Sequence, residues 1–103
     1  MIPLKTIEEL ILKHSLLEKE LSTGELDKKL FAEKSKEYSD LNEVISDVKK
    51  YSSFEKEKKD LEKIIGDSES DNEIKVMAET ELKNLKLENQ KIEKKLKLFL
   101  LPK

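Results

Sequence analysis

Carboxylates are the most abundant reactive groups in this sequence: 23 of its 103 residues are Asp or Glu, beside 21 basic residues and a single histidine. Close pairs such as Glu79 with Glu81, or Asp67 with Glu69, have the spacing that general acid–base catalysis would draw on. That chemistry needs one carboxyl held in an apolar pocket, so that its proton affinity rises toward neutrality. The stretches around both pairs are polar, so the pairs read as solvated helix face and loop. His14 falls on an apolar stripe, and with no second His and no Cys it assembles no metal site; a packed histidine is its ordinary reading. The serines cluster in cap and loop positions, outside any Gly-x-Ser-x-Gly elbow or glycine-rich phosphate loop. Catalytic residues, metal ligands and cofactors are therefore not expected, and this chain is not expected to be an enzyme.

Lysine is the other chemistry on offer. All 21 bases are Lys, so the planar fork with which Arg grips phosphate or carboxylate at two points is missing. The net charge of −2 gives no overall basic footprint for nucleic acid, but the charge is unevenly spread. Residues 66–82 hold six acids and one base, whereas residues 83–103 hold seven Lys and two Glu. Within the second stretch Lys94, Lys95 and Lys97 are the candidate contacts to an RNA phosphate or an acidic partner. The helix dipole favours the same gradient without any ligand, with acid near a helix start and base near its end. Aromatics are too few on the polar faces for single-strand binding by base stacking.

The elements that position these groups follow from composition and spacing. Hydrophobic residues make up 36% of the chain and charged residues 43%, with two Gly and two Pro. So little turn material argues against a β-sandwich or barrel, and so much charge fits long solvated helices. No apolar run approaches the roughly 18–20 residues that cross a bilayer. Met1-Ile2-Pro3-Leu4-Lys5 lacks the basic and apolar segments of a secretory signal, so a soluble cytoplasmic protein is expected.

Thr6 followed by Glu9 has the form of a capping box, and Ile7, Leu10, Ile11, His14, Leu17 and Leu21 recur at three and four residues. With Gly24 as the stop, this predicts a first helix over about 7–22. Residues 25–65 contain no Gly or Pro and predict a second helix over about 26–65. Its face runs through Leu30, Phe31, Tyr38, Leu41, Ile45 and Val48, interrupted by Lys34, and resumes at Tyr51, Phe54, Leu61 and Ile65 after a three-residue skip. Ser52-Ser53 is a place where a kink is possible. Gly66 to Asn72 reads as a loop, with Asp71 or Asn72 capping a third helix over about 72–100. The seam of that helix is Ala78, Leu82, Leu85, Asn89, Ile92, Leu96 and Phe99, and Asn89 on the seam is the kind of polar residue that fixes register. The expected architecture is all-α: an elongated three-helix bundle built on a long antiparallel αα-hairpin. Leu98 and Leu101 face away from the seam, so the natural chain is expected to continue past Lys103.

Several strings also resemble a known family. Ser35-Lys36-Glu37-Tyr38 with Leu41, Met77-Ala78-Glu79 with Glu81-Leu82, and Leu100-Leu101-Pro102-Lys103 stand in the order and spacing of the N-terminal helical domain of the bacterial peptide chain release factor 1 family. The resemblance covers about Ile7 to Lys103 and favours the type that reads UAA and UAG. It departs where the family often shows Asp-Pro-Glu, since Asp71-Asn72-Glu73 stands here.

The resemblance implies a part in translation termination, with the decoding and catalytic domains lying outside residues 1–103. Gly24 and Gly66 are the only glycines, so the family's Gly-Gly-Gln loop is absent and no catalytic residue carries over. What it implies for this domain is contact with the factor-binding region of the large ribosomal subunit and with the GTPase that recycles the factor. RNA would be touched only in that ribosomal setting, without any membrane, and the 103 residues are expected to be a monomer or weak dimer. The alternative reading is a free-standing coiled-coil adaptor.

Overall fold

The computed structural model describes residues 1–102, and among these it is all-α, with three helices and no strand. Lys103, which closes the Leu-Leu-Pro-Lys string and from which a continuation was expected, lies outside the described residues. Helix α1 spans Leu4–Thr23, α2 spans Lys28–Gly66 and α3 spans Asn72–Phe99. The chain divides into two compact units, Met1–Lys49 and Lys50–Lys103, and α2 contributes residues to both.

In the first unit α1 and the opening half of α2 form an antiparallel pair. Its buried apolar residues are Ile2, Ile7, Leu17, Leu41, Val44, Ile45 and Val48. Two boundaries differ from expectation. Helix α1 starts a turn early, at Leu4, and the Thr6–Glu9 capping box is not used; Pro3 takes the cap position, with no side-chain hydrogen bond. Proline's fixed φ, here −59°, suits the entry to a helix, and the Ile7 amide donates to the Pro3 carbonyl over 3.3 Å. Starting early places Ile2 and Ile7, 4% and 0% exposed, at the two positions a hydrophobic staple uses. The C-terminus follows expectation: Gly24 adopts φ +70°, the left-handed conformation that closes a helix at little cost to glycine alone.

Helix α2 starts two residues later than expected, because Asp27 caps it. Its carboxylate accepts the Leu30 amide over 2.8 Å, and its carbonyl accepts the Phe31 amide over 2.8 Å. Leu30 and Phe31 are thereby placed in the first turn, 38% and 45% exposed, and do not join the seam as the spacing predicted. Val44, outside the predicted face, is buried instead. Lys34, which interrupts that face, pairs with Glu20 of α1.

The second unit is the antiparallel hairpin of the closing half of α2 and α3. Lys50 lies 3.2 Å from Glu88, and the Tyr51 hydroxyl donates to Glu93 over 3.4 Å. Helix α2 runs unbroken through Ser52-Ser53, where the Ser53 hydroxyl donates back to the Lys50 carbonyl over 3.2 Å. In the connecting loop Asp67 forms an Asx turn, its side chain accepting the Glu69 amide over 2.9 Å. Asp71 holds the cap position of α3 through its backbone only, the Lys75 amide reaching its carbonyl at 3.0 Å, so neither Asp71 nor Asn72 caps by side chain. The α3 seam is as the heptad spacing predicts: Ala78, Ile92 and Leu96 are buried, and Leu82, Leu85, Asn89 and Phe99 are half-buried.

Candidate interaction surface

Lys94, Lys95 and Lys97 are all exposed on the last two turns of α3. A helix advances about 100° per residue, so adjacent members of this run point in different directions and do not converge on one point. Lys97 Nζ lies 3.5 Å from Glu93 Oε1, an i, i+4 pair, and that carboxylate also accepts the Tyr51 hydroxyl. Lys95 is engaged within the protein as well. Lys94 makes no ion pair among the described residues. A surface ion pair of the Lys97–Glu93 kind contributes roughly 0–1 kcal/mol, so an anionic partner could displace it at small cost.

His14 is the one buried polar side chain among the described residues, 8% exposed. Its Nε2 donates a hydrogen bond to Asn42 Oδ1 over 2.9 Å. The ring stacks on Tyr38 with centroids 4.9 Å apart and planes 26° from parallel, and Nδ1 lies 3.9 Å from the exposed Glu18 carboxylate. Through Asn42 and Tyr38 this imidazole joins α1 to α2. It is a packing residue with a satisfied donor, as its place on the apolar stripe predicted. Asn42 and Tyr38, 28 and 24 positions away in sequence, were not legible as its partners.

A groove of about 210 Å³ in the second unit is lined by Lys50, Phe54, Leu85, Glu88, Asn89 and Ile92, beside Glu57. More open grooves of about 310 and 320 Å³ lie beside Leu61 and Leu85 and beside Leu12 and Leu16, at the lower edge of the roughly 300–1,000 Å³ of small-molecule sites. Asn89 Oδ1 is buried and accepts no hydrogen bond from the described residues. Among the described residues no three His, Cys, Asp or Glu side chains gather as a metal site would need. No helix among them is long and apolar enough to cross a membrane.

Long helices with thin seams and heavily charged outer faces make this an all-α helical protein. The family model of the PCRF domain matches residues 10–103, and the chain belongs to that family. Over all 103 residues it is 81% identical to peptide chain release factor 1 of Pelagibacter ubique, of which it covers 29%. It is 37% identical over 97 residues to peptide chain release factor 1 of Orientia tsutsugamushi, aligning 94% of this chain with 27% of that protein. Against peptide chain release factor 1 of Ehrlichia ruminantium it is 39% identical over 92 residues, 89% of this chain and 24% of that one. The chain thus spans less than a third of these relatives. No solved structure gives a significant match. The family expected from the Ser-Lys-Glu-Tyr and Leu-Leu-Pro-Lys strings is the family found.

Proposed function

We propose that these residues form the N-terminal helical module of a factor that ends translation at UAA and UAG codons, acting in the cytoplasm. The observation that carries this reading is the 81% identity over the whole chain to a peptide chain release factor 1. In this reading the module has no part in peptidyl-tRNA hydrolysis and is not an enzyme. The decoding and catalytic domains belong to polypeptide outside residues 1–103, and the module supplies contacts to the large subunit's factor-binding region and to the recycling GTPase. Its chemistry suits such contacts, since exposed lysines such as Lys94 meet anionic surfaces while the buried seams keep the helices aligned.

The experiment is a reconstituted termination assay on stop-codon ribosome complexes. The 103-residue chain alone is expected to release no peptide. Added in excess, it is expected to slow release by an intact factor of the same family by competing for the large subunit. Robust release by the chain alone, or no competition at any concentration, refutes the reading.

A further inference from the structure

The outer face of α3 carries a pattern that packing does not use. Opposite the buried seam, at spacings of three and four residues, lie Lys83, Leu87, Lys91, Lys94 and Leu98, all exposed. Leu87 is 49% and Leu98 70% exposed, large values for leucines at regular positions on a helix. From Lys83 to Leu98 this face holds no acid. The two acids of the stretch, Glu88 and Glu93, flank the seam and are held by Lys50 and Lys97. Lys83, Lys91 and Lys94 make no ion pair among the described residues.

The helix dipole does not account for these lysines. Its influence fades within the last turn, where Lys97 is the basic residue. Lys83 and Lys91 stand more than two turns before the helix end at Phe99. Two explanations remain, a solvated face or a partner, and the two leucines set amid lysines without ion pairs among the described residues favour the partner. A solvated face gains nothing from exposing Leu87 and Leu98, whereas a partner helix with its own apolar row buries them.

We propose that the outer face of α3, from Lys83 to Leu98, docks an acidic amphipathic helix of a partner protein. Leu87 and Leu98 serve as its apolar anchors, and Lys83, Lys91 and Lys94 pair with carboxylates along the rims. Charge complementarity selects the acid, and the interleaved leucines select a protein over RNA. Phosphates would leave Leu87 and Leu98 without a partner, and the face has neither the Arg forks nor the aromatic platforms that RNA recognition uses. The surface is defined by α3 alone, so it stands whether or not the chain acts in termination.

The test uses the 103-residue chain with two fluorescent probes. One is a synthetic helix with Leu at three- and four-residue spacing flanked by Glu, and the other is an RNA duplex of equal net charge. Fluorescence anisotropy is expected to show saturable binding of the Leu–Glu helix, tighter than of the duplex. The triple variant K83Q/K91Q/K94Q, and separately L87S/L98S, should each weaken it about tenfold. Unchanged far-UV circular dichroism establishes that each variant keeps its helices. Several results overturn the proposal: no binding of the Leu–Glu helix, binding that survives both sets of substitutions, or preference for the duplex. So does self-association of the chain that the same substitutions abolish, which would make a second copy the occupant.

Discussion

Replacing Asn89 by leucine removes a cost that the second unit carries at the centre of its seam. The Oδ1 atom is buried and accepts no hydrogen bond from the described residues. A buried polar group left without a partner costs about 1–3 kcal/mol. Leucine removes that cost and adds apolar surface beside Leu85 and Ile92, which line the same groove. Full burial of a leucine is worth about 1.5–3 kcal/mol, and a half-buried position contributes roughly half of that. A net gain of about 2 kcal/mol is expected, which at about 4–8 °C per kcal/mol raises the melting temperature by roughly 10 °C. Asn89→Ala should gain less, since it relieves the orphaned acceptor but enlarges the groove. The assay is thermal and urea unfolding of both variants followed by circular dichroism, with sedimentation to record oligomeric state. If N89L is neutral or destabilising while remaining monomeric, the buried acceptor is not the cost assigned to it. A stabilised variant that also self-associates would show that the asparagine is retained for pairing specificity, as polar residues on coiled-coil seams are.

Two further predictions concern the backbone and the first unit. Ile7 is fully buried, so Ile7→Ala should cost about 2–5 kcal/mol by urea titration, whereas Leu12→Ala, at a position 59% exposed, should change little. The two glycines should respond differently although a methyl side chain would meet no neighbour within 4 Å at either. Gly24→Ala is expected to destabilise by about 1–2 kcal/mol because only its φ of +70° resists a side chain. Gly66→Ala, at the end of α2 without a positive φ, should be neutral or gain up to about 1 kcal/mol in the same titration.

Heptad spacing made α3 legible in advance, because every seam residue it selected is buried or half-buried and nothing local competes with the repeat. The errors fall where two local signals competed. Thr6 with Glu9 spells a capping box, but Pro3 one turn earlier admits a longer helix that buries Ile2 as well as Ile7. Leu30 and Phe31 share the spacing of the α2 seam, but the Asp27 cap fixes them in a first turn that is open to water. Sequence runs also hide faces: Lys94, Lys95 and Lys97 are neighbours in the chain, whereas Lys83, Leu87, Lys91, Lys94 and Leu98 are neighbours on the helix surface. The partners of His14 were beyond reach for a different reason, since Tyr38 and Asn42 meet it only through the packing of two helices.

Burial along the chain also dictates where the structure opens. Four residues of α2 between Leu41 and Val48 are buried, whereas from Glu55 to Met77 not one residue is. The helical hydrogen bonds of α2 beyond Glu55 are held by half-buried Lys58, Leu61 and Ile65 and by little else in the way of packing. Isolated helical segments of such length are marginal in water, since tertiary burial supplies most helical stability. Amide hydrogen exchange should therefore be faster for residues 57–66 and 73–77 than for residues 41–48, with the loop end of the hairpin opening at a lower free energy than global unfolding. Equal protection of these segments would mean that the charged faces stabilise the helices more than the apolar seam does. In that case the 43% of the chain that is charged would be a source of rigidity. With the gradient present, the same charge hydrates the faces of a thinly packed hairpin whose loop end opens first.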